Sequence, residues 1–284
     1  HATGDFNYDG ATDLIISSPG YSAGGNTGRA YIFYNDGSIP TTAATADVMI
    51  TGNATSDLFG TSFVVGDFNA DNRMDFAVGA SGYSTSTGRV YIFNNDGSIP
   101  TTAGTADTTI TGNATSDLFG ASLIAGDFNA DSKTDLAVGA NGYSSSAGRV
   151  YIFNNDGSIP TTAATADTTI DGESASNFGV SLAAGDLNAD SKVDLVVGAS
   201  TYSTSTGRVY IFNNDGSIPT TAATADTMID GESGVYFGYR VVAGDISVDG
   251  RVDLVVSNDY SSATYGRVYV FYNDGTYPRT SATA

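Results

Sequence analysis

The chain lacks the residues on which most hydrolytic active sites are built. Its 284 residues include no cysteine and one histidine, His1. The sequence therefore predicts neither a Cys-His nor a Ser-His-Asp catalytic site. Its two glutamates, Glu173 and Glu232, occupy equivalent places in a repeated Asp-Gly-Glu-Ser sequence, which indicates repeated structure and not the two unlike acids of a glycosidase. The sequence predicts a protein that is not an enzyme.

Basic residues are also scarce. Eleven Lys and Arg face 31 Asp and Glu, a formal charge of −20 that repels nucleic acid and anionic membranes. No apolar run reaches ~18 residues, so we expect no membrane insertion. There is no charged-then-apolar leader, so we expect either a cytosolic chain or a mature secreted one, and the absence of cysteine does not decide between them.

What the chain does contain is an acidic loop that occurs five times. In the copy at 127–135, side-chain oxygens fall at loop positions 1, 3, 5 and 9, and the carbonyl of position 7 is free to join them. Hard cations such as Ca²⁺ take six to eight oxygen ligands, so the spacing predicts up to five structural calcium sites. The predicted side-chain ligands are Asp5, Asn7, Asp9, Asp13, Asp67, Asn69, Asp71, Asp75, Asp127, Asn129, Asp131, Asp135, Asp186, Asn188, Asp190, Asp194, Asp245, Ser247, Asp249 and Asp253. The predicted carbonyl ligands are Ala11, Arg73, Lys133, Lys192 and Arg251.

These loops differ from EF-hands after their ninth position. An EF-hand loop closes with Glu at position 12 and continues into a helix. Here position 12 is apolar, as in Val138, and the loop continues into a strand-like sequence. The Gly expected at position 6 is present only as Gly10 and Gly250.

The loops hold 15 of the 31 acidic residues, so they account for much of the acid excess. Without metal, three carboxylates repel one another within each loop. A site with a dissociation constant of ~10⁻⁵ M would add roughly 2.7 kcal/mol at millimolar calcium and almost nothing in the cytosol. This predicts an extracellular or cell-surface location.

The repeat also predicts the fold. The loops begin 59 to 62 residues apart, and each unit contains four short strand patterns bounded by turn signals. Four antiparallel strands repeated radially describe an all-β propeller. We expect one domain, 1–284, with repeats at approximately 1–50, 51–110, 111–170, 171–229 and 230–284.

Further motifs carry a family resemblance. Phe-Gly pairs such as Phe119-Gly120 precede the second to fifth loops, a Gly-Asp opens each loop, and sequences such as Gly139-Ala140-Asn141 follow it. The chain resembles the FG-GAP repeats of integrin α-subunit propellers and of related secreted lectins and microbial surface proteins. The resemblance implies calcium in the loop between the first and second strands. In the first and fifth repeats the sequence that follows the loop differs from Gly139-Ala140-Asn141 and its copies. It is Ser17-Ser18-Pro19 in the first repeat and Ser257-Asn258-Asp259 in the fifth.

Five periods need slightly more residues than the chain has, and the missing part corresponds to about one strand connection. Three expectations follow. Five blades close imperfectly, the chain is part of a longer array such as a seven-bladed propeller, or a neighbouring subunit supplies the missing strand.

Strand direction places the acidic loops and the Asn-Asp-Gly turns on one face of the propeller. The opposite face carries repeated Tyr-Ser/Thr loops, for which stacking against a ligand and packing within the blade are both expected. The candidate ligand residues are Tyr21, Tyr83, Tyr143, Tyr202 and Tyr260. Asn53 and Asn113 lie in N-glycosylation sequons.

Two functions are consistent with these patterns. The first is a non-catalytic adhesion module that binds an extracellular protein or a glycan. The second is a structural subunit that assembles with copies of itself into a filament or surface layer by strand complementation.

Overall fold

The structure, a computed structural model, describes residues 1–22, 25–258 and 266–281. Within these ranges the strands form five antiparallel sheets, one for each repeat, and the strand order in every sheet follows the sequence. The five sheets are the blades of a β-propeller. The predicted all-β fold class is therefore confirmed.

Each blade is built from short strands in sequence order. In the first blade they are β1 Ala2–Gly4, β2 Asp13–Ser18, β3 Arg29–Phe33 and β4 Val48–Thr51. The second blade has β5 Phe59–Gly66, β6 Asp75–Ala80, β7 Arg89–Phe93 and β8 Thr108–Thr111. The third blade has β9 Ser122–Gly126, β10 Asp135–Ala140, β11 Arg149–Phe153 and β12 Thr168–Asp171. The fourth blade has β13 Phe178–Gly185, β14 Asp194–Ala199, β15 Arg208–Phe212 and β16 Thr227–Asp230. The fifth has β17 Arg240–Gly244, β18 Asp253–Ser257 and β19 Val268–Phe271, three strands in the part of it that is described.

The core lies between neighbouring blades. Every residue of β10 is buried, because a strand in the middle of a sheet that is packed on both faces has no solvent side. Phe119, from the Phe-Gly pair, meets Tyr151 edge-on at a centroid distance of 5.4 Å. The same edge-on contact joins Phe178 to Tyr210. The Phe-Gly pairs thus fill the boundaries between blades.

Two backbone contacts join each interior pair of blades. Near the Phe-Gly pair, Gly88 forms a parallel bridge to Phe119. Gly88 has φ +83°, and a Cβ there would lie 2.1 Å from the Phe119 carbonyl oxygen, so only glycine fits. At the rim, the N–H of Thr111 donates to the Thr161 carbonyl at 3.1 Å. The corresponding bonds at the other boundaries are 3.0 Å long. The Ser-Ile-Pro-Thr-Thr segment of one blade is therefore hydrogen-bonded to the outer strand of the blade before it.

Short helical turns lie between some of the strands. Three four-residue turns, α1 Tyr83–Ser86, α2 Tyr143–Ser146 and α3 Tyr202–Ser205, connect second and third strands. Single 3-10 turns lie at the rim, among them Ala43–Thr45, Ala103–Thr105, Ala163–Thr165 and Ala222–Thr224. They are too short to give a helical period in the sequence.

Candidate metal centres and the opposite face

The acidic loops share one hydrogen-bonded conformation. In the second blade, the N–H of Asp71 lies 3.1 Å from Asp67 Oδ1 and 3.0 Å from Asn69 Oδ1, so two predicted ligand oxygens converge on one donor. Asp67 Oδ2 accepts from Asn72 N–H, and Asp71 Oδ1 accepts from Arg73 N–H. The third and fourth loops repeat these four bonds. The loop therefore curls around its own oxygen atoms.

This curl requires left-handed backbone at two positions. Ala70 has φ 58° and Asn72 has φ 64°, at loop positions 4 and 6. The corresponding residues of the other loops also have positive φ. They are Tyr8, Gly10, Ala130, Ser132, Ala189, Ser191, Val248 and Gly250. Non-glycine residues adopt this conformation at a cost of about 1 kcal/mol or more, and such strain concentrates at functional sites. The requirement at position 4 has no sequence signal, because Ala, Tyr and Val do not favour it.

The aspartate at position 9 anchors the loop to the rest of the blade. Asp135 is fully buried; its Oδ2 accepts from Phe128 N–H and its Oδ1 from Asn155 N–H, both at 2.8 Å. The buried amide of Asn155 in turn donates to the Phe68 carbonyl in the loop of the preceding blade at 3.0 Å. The equivalent amides are those of Asn95, Asn214 and Asn273. The repeated Asn-Asp-Gly sequence predicts only a turn, so this role between blades is a finding of the structure.

Burial sets the protonation of these anchors. Desolvation raises the pKa of Asp135 to about 6, against the two N–H bonds that lower it, and the charges of Asp131 and Asp127 raise it further. Burial raises the pKa of Asp75 and of Asp194 in the same way. In the last blade the N–H of Asn273 is the largest influence, and the pKa of Asp253 is lowered. An interior anchor is therefore costly to ionise unless a positive charge lies beside it.

The side chains alone do not form a metal cage. Across 1–22, 25–258 and 266–281, no group of three or more Asp, Glu, His or Cys side chains is arranged to hold an ion. Two features explain this. The carboxylates turn toward backbone N–H groups, and the predicted set also depends on an Asn amide and a carbonyl oxygen. The donor chemistry still fits a hard cation, because carboxylate, amide and carbonyl oxygens are what Ca²⁺ takes. The calcium assignment stays a prediction.

On the opposite face, each described candidate tyrosine lies under an arginine of its own blade. The guanidinium carbon of Arg89 is 3.8 Å from the ring centroid of Tyr83. The pairs in the other blades, Arg29–Tyr21, Arg149–Tyr143 and Arg208–Tyr202, lie at 3.8 to 4.0 Å. Tyr260 lies outside the described residues. One side of each ring is thus used for packing within the blade, and the use of these tyrosines by a ligand stays a prediction.

A cleft of about 600 Å³ opens on this face between the first two blades. The linker 54–58 and the turn α1 line it, together with Asn26. Asp57 is buried at its base, and desolvation raises the pKa of this carboxyl although Ala54 N–H and the charge of Arg89 oppose the shift. The cleft therefore presents hydroxyl, amide and aromatic groups around one buried acid whose pKa is raised.

The turns on this face have an unusual backbone. Ser84, Thr85 and Ser86 are three consecutive residues with positive φ, and α2 and α3 repeat the conformation. Thr85 and Ser86 direct their carbonyls to the N–H groups of Ser116 and Leu118 in the next linker, at 3.2 and 2.9 Å. The strained backbone points these carbonyls at the next linker, and the hydrogen bonds hold that linker against this face.

The two glutamates of the chain are hydrogen-bonded or ion-paired to side chains of the blades. Glu173 Oε1 accepts from the Tyr210 hydroxyl at 2.8 Å, and Glu232 pairs with Arg267 at 3.2 Å. Both glutamates therefore make structural contacts within the fourth and fifth blades.

The blades and loops together define a class, the repeat propellers with an acidic loop between the first and second strands of each blade. The FG-GAP repeat model matches residues 2–33, 59–93, 119–153, 178–212 and 237–271. The chain belongs to the FG-GAP repeat family.

Curated relatives match part of the chain. Phosphatidylinositol-glycan-specific phospholipase D of Bos taurus is 35% identical over 149 residues, which cover 48% of this chain and 17% of the relative. Integrin alpha-PS2 of Drosophila melanogaster is 34% identical over 181 residues, covering 59% of this chain and 12% of the integrin. The chain thus spans less than a fifth of the length of these relatives. The V. cholerae biofilm matrix protein Bap1 aligns over 79% of this chain and 39% of its own, at 14% identity and a TM-score of 0.29, too weak for an argument.

None of the helices in the described ranges has the length and apolar character needed to cross a membrane.

Proposed function

We propose that this protein is an extracellular or cell-surface β-propeller that calcium stabilises and that binds a ligand without catalysing a reaction. The observation that carries the proposal is the loop conformation, in which Asp67 and Asn69 bring ligand oxygens within about 3 Å of one N–H. The same convergence in the third and fourth blades supports a common cation and not a chance turn.

Three carboxylates, one Asn or Ser oxygen and one backbone carbonyl would hold each ion. A bound Ca²⁺ supplies positive charge to carboxylates that otherwise repel one another. The protein supplies the strained curl that gathers them, and the position 9 aspartate transmits the order of the loop to the Asn-Asp-Gly turn. Dependence on millimolar calcium favours the outside of the cell.

The proposed ligand surface is the face opposite the loops. There the Arg-backed tyrosines and the cleft at Asp57 offer stacking and hydrogen bonding to a glycan or a partner protein. The absence of Cys and the structural contacts of Glu173 and Glu232 support binding without catalysis.

Calorimetric titration with Ca²⁺ tests the metal assignment. One site filled at 100 times its dissociation constant adds ~2.7 kcal/mol, or ~5–10 °C of melting temperature, which excess EGTA should remove. We expect Asp71→Asn to lose one site, since Asn keeps the acceptor for Arg73 N–H but loses the charge.

Asp96→Asn is the matched control, because Asp96 is an exposed acid in the Asn-Asp-Gly turn of the same blade. It should keep every site. A melting temperature that is the same in calcium and in EGTA would overturn the proposal for the loops.

The ligand surface is tested separately, by binding to glycan and extracellular-protein arrays. Tyr83→Ala and Tyr143→Ala should weaken retention, while Tyr272→Ala, at an exposed tyrosine of the last blade, should not. Equal retention by all three variants, with unchanged melting, would remove the tyrosine face from the proposal.

A further inference from the structure

A buried tyrosine follows the stacking arginine by two residues on the third strand of the blades. In the fourth blade it is Tyr210, whose hydroxyl donates to Glu173 Oε1 at 2.8 Å. The same carboxylate oxygen accepts from Arg208 Nη1 at 3.4 Å. Asp230 pairs with the same guanidinium, and its Oδ2 lies 2.9 Å from Arg208 Nη2. The arginine and the tyrosine of the fourth blade therefore share a carboxylate that the chain itself provides.

The second blade keeps the arginine and the tyrosine but lacks both of these carboxylates. Asn53 stands where the fourth blade has its glutamate, and Thr111 stands where it has its aspartate. Arg89 Nε donates to Thr111 Oγ1 at 3.1 Å. Asp57, at the base of the cleft, accepts from Ala54 N–H at 3.1 Å and is not paired with Arg89. Within the described ranges, Arg89 makes no ion pair.

The hydroxyl of Tyr91 lacks a partner as well. Tyr91 is 1% exposed, and no described group forms a hydrogen bond with its hydroxyl. Burial raises the pKa of Tyr91, and the charge of Arg89 opposes this shift. The guanidinium carbon of Arg89 lies 5.8 Å from the Tyr91 ring centroid. A buried donor without an acceptor is costly, so it marks a place where an acceptor group is missing.

The side chain at the glutamate position of the second blade is not held in place. Asn53 is exposed, and its side chain has no hydrogen bond to another described residue. It lies beside Gly104, where a Cβ would come within 3.0 Å of Asn53 Oδ1. In the third blade the equivalent amide, that of Asn113, is 3.5 Å from the Tyr151 hydroxyl. Displacement of Asn53 breaks no bond within the protein, so the pair of donors can open to solvent.

The cleft of about 600 Å³ adjoins this pair of donors. Asn53 directly precedes the linker 54–58 that lines the cleft. The ring of Tyr83 also lines it, and Arg89 stacks on this ring at 3.8 Å. Ser and Thr hydroxyl groups of the linker and of the turn α1 form much of the remaining lining. A ligand that places an acidic group against Arg89 can therefore place its own hydroxyl groups in the cleft.

We propose that Arg89 and the Tyr91 hydroxyl bind the carboxylate of an acidic saccharide, at the place where the fourth blade holds the carboxylate of Glu173. The inference rests on the proposed function, because it names the chemical class of ligand on the tyrosine face. The carboxylate accepts from both donors while Asn53 turns aside, and the sugar hydroxyls bind in the cleft. A carboxylate fits because one donor is charged and because the chain builds the same contact internally.

Calorimetric titration with a glucuronic acid trisaccharide, in millimolar CaCl₂ and physiological salt, tests the proposal. We expect it to bind about tenfold or more tightly than its methyl ester, which has the same hydroxyl groups and no charge. Acetate, which has the charge without the hydroxyl groups, should bind as weakly as the ester. A peptide that contains aspartate is the probe for a protein ligand and should also bind weakly.

Two variants remove the site in different ways. Tyr91→Phe should weaken binding about tenfold and leave the melting temperature the same or higher, because the folded chain loses a hydroxyl that has no partner. Asn53→Glu supplies the internal carboxylate of the fourth blade, so it should abolish binding and raise the melting temperature. Tyr210→Phe is the matched control. It should keep the affinity and lower the melting temperature, because Glu173 loses its donor.

Thr111→Asp is a further variant, to be used if either of the first two is unfolded. It gives Arg89 the acid that Arg149 has in Asp171, so it should also weaken binding. All variants are compared with the parent chain by circular dichroism.

Four outcomes would overturn the proposal. The trisaccharide does not bind, its methyl ester binds equally well, Asn53→Glu keeps the affinity, or acetate or the peptide binds as tightly as the trisaccharide. A neutral glycan or a protein retained on the arrays would then leave the proposed function standing. Calcium binding by the loops is measured separately, by the titration described above.

Discussion

The side-chain amide of Asn155 donates a 3.0 Å hydrogen bond to the carbonyl of Phe68, which belongs to the acidic loop of the preceding blade. Asn155 is buried, and its own N–H binds Asp135. One residue therefore connects the anchor of its own loop with the loop of its neighbour. Order in one loop is coupled to order in the next through this contact.

Asn155→Ala should destabilise the protein by about 1–3 kcal/mol, because the buried Phe68 carbonyl loses its partner. Urea unfolding in calcium measures the change. Asn35→Ala is the matched control, since Asn35 holds the same position in the first blade, also donates its own N–H to an Asp anchor, and is only half-buried. An equal loss in both variants would contradict the coupling between blades.

Gly88→Ala should cost about 1–3 kcal/mol more than Gly157→Ala. Both glycines have positive φ, so the backbone strain is similar, but a Cβ at Gly88 meets the Phe119 carbonyl oxygen at 2.1 Å while Gly157 has open space. Thermal unfolding of the two variants isolates the close approach of the blades. Equal melting temperatures would show that the boundary can widen without cost.

Thr85→Gly should stabilise the protein by up to ~1 kcal/mol, because a β-branched residue at φ 58° is strained and glycine is not. Thr87→Gly should instead destabilise by about 0.5–1 kcal/mol, because Thr87 has right-handed helical backbone and its hydroxyl binds the Ser84 carbonyl. Changes of opposite sign in the free energy of unfolding, measured by chemical denaturation, would support backbone strain at Thr85. A loss of stability in both would mean that the side chain of Thr85 makes a contact worth more than the strain.

Asp57→Asn should raise the melting temperature at pH 7 and leave it unchanged near pH 3. Burial raises the pKa of Asp57 above its usual 3.8, so the folded protein holds a proton that the unfolded chain releases. The stability contributed by the neutral acid is present below pH ~4 and is lost as the pH rises through the folded pKa. Asn mimics the neutral form at every pH.

The rise is limited, because the Ala54 N–H and the charge of Arg89 oppose the effect of burial on the Asp57 pKa. Asp36→Asn, at an exposed acid, should shift the melting temperature little at either pH. A lower melting temperature for Asp57→Asn at pH 7 would show that attraction to Arg89 outweighs burial.

The sequence predicts the blades well because each strand is bounded by strong turn residues. In the third repeat the sequence predicts strands at 120–126, 136–140, 148–153 and around 168–170. The last three agree with β10, β11 and β12 within a residue, and β9 begins two residues later than predicted. Alternation in Arg149–Phe153 and the turn at Asn155-Asp156-Gly157 are local signals, and local geometry follows from them. The fivefold repetition then leaves a propeller as the simplest arrangement.

The contacts between blades could not be predicted from local sequence. Asn155 and Phe68 are 87 residues apart, and nothing near either residue indicates the other. The left-handed backbone at Ala70 and Thr85 is imposed by surrounding bonds and not by residue preference. Stacking of Arg89 on Tyr83 was open as well, because the pattern fits both a ligand surface and a packed one.

The glycine-to-phenylalanine bridge recurs at Gly28–Phe59, Gly88–Phe119, Gly148–Phe178 and Gly207–Phe237. A joint of fixed design has an evolutionary consequence. Duplication or loss of one ~60-residue unit leaves matching joints on both sides of the change, so the number of blades can vary among descendants without any new interface having to arise.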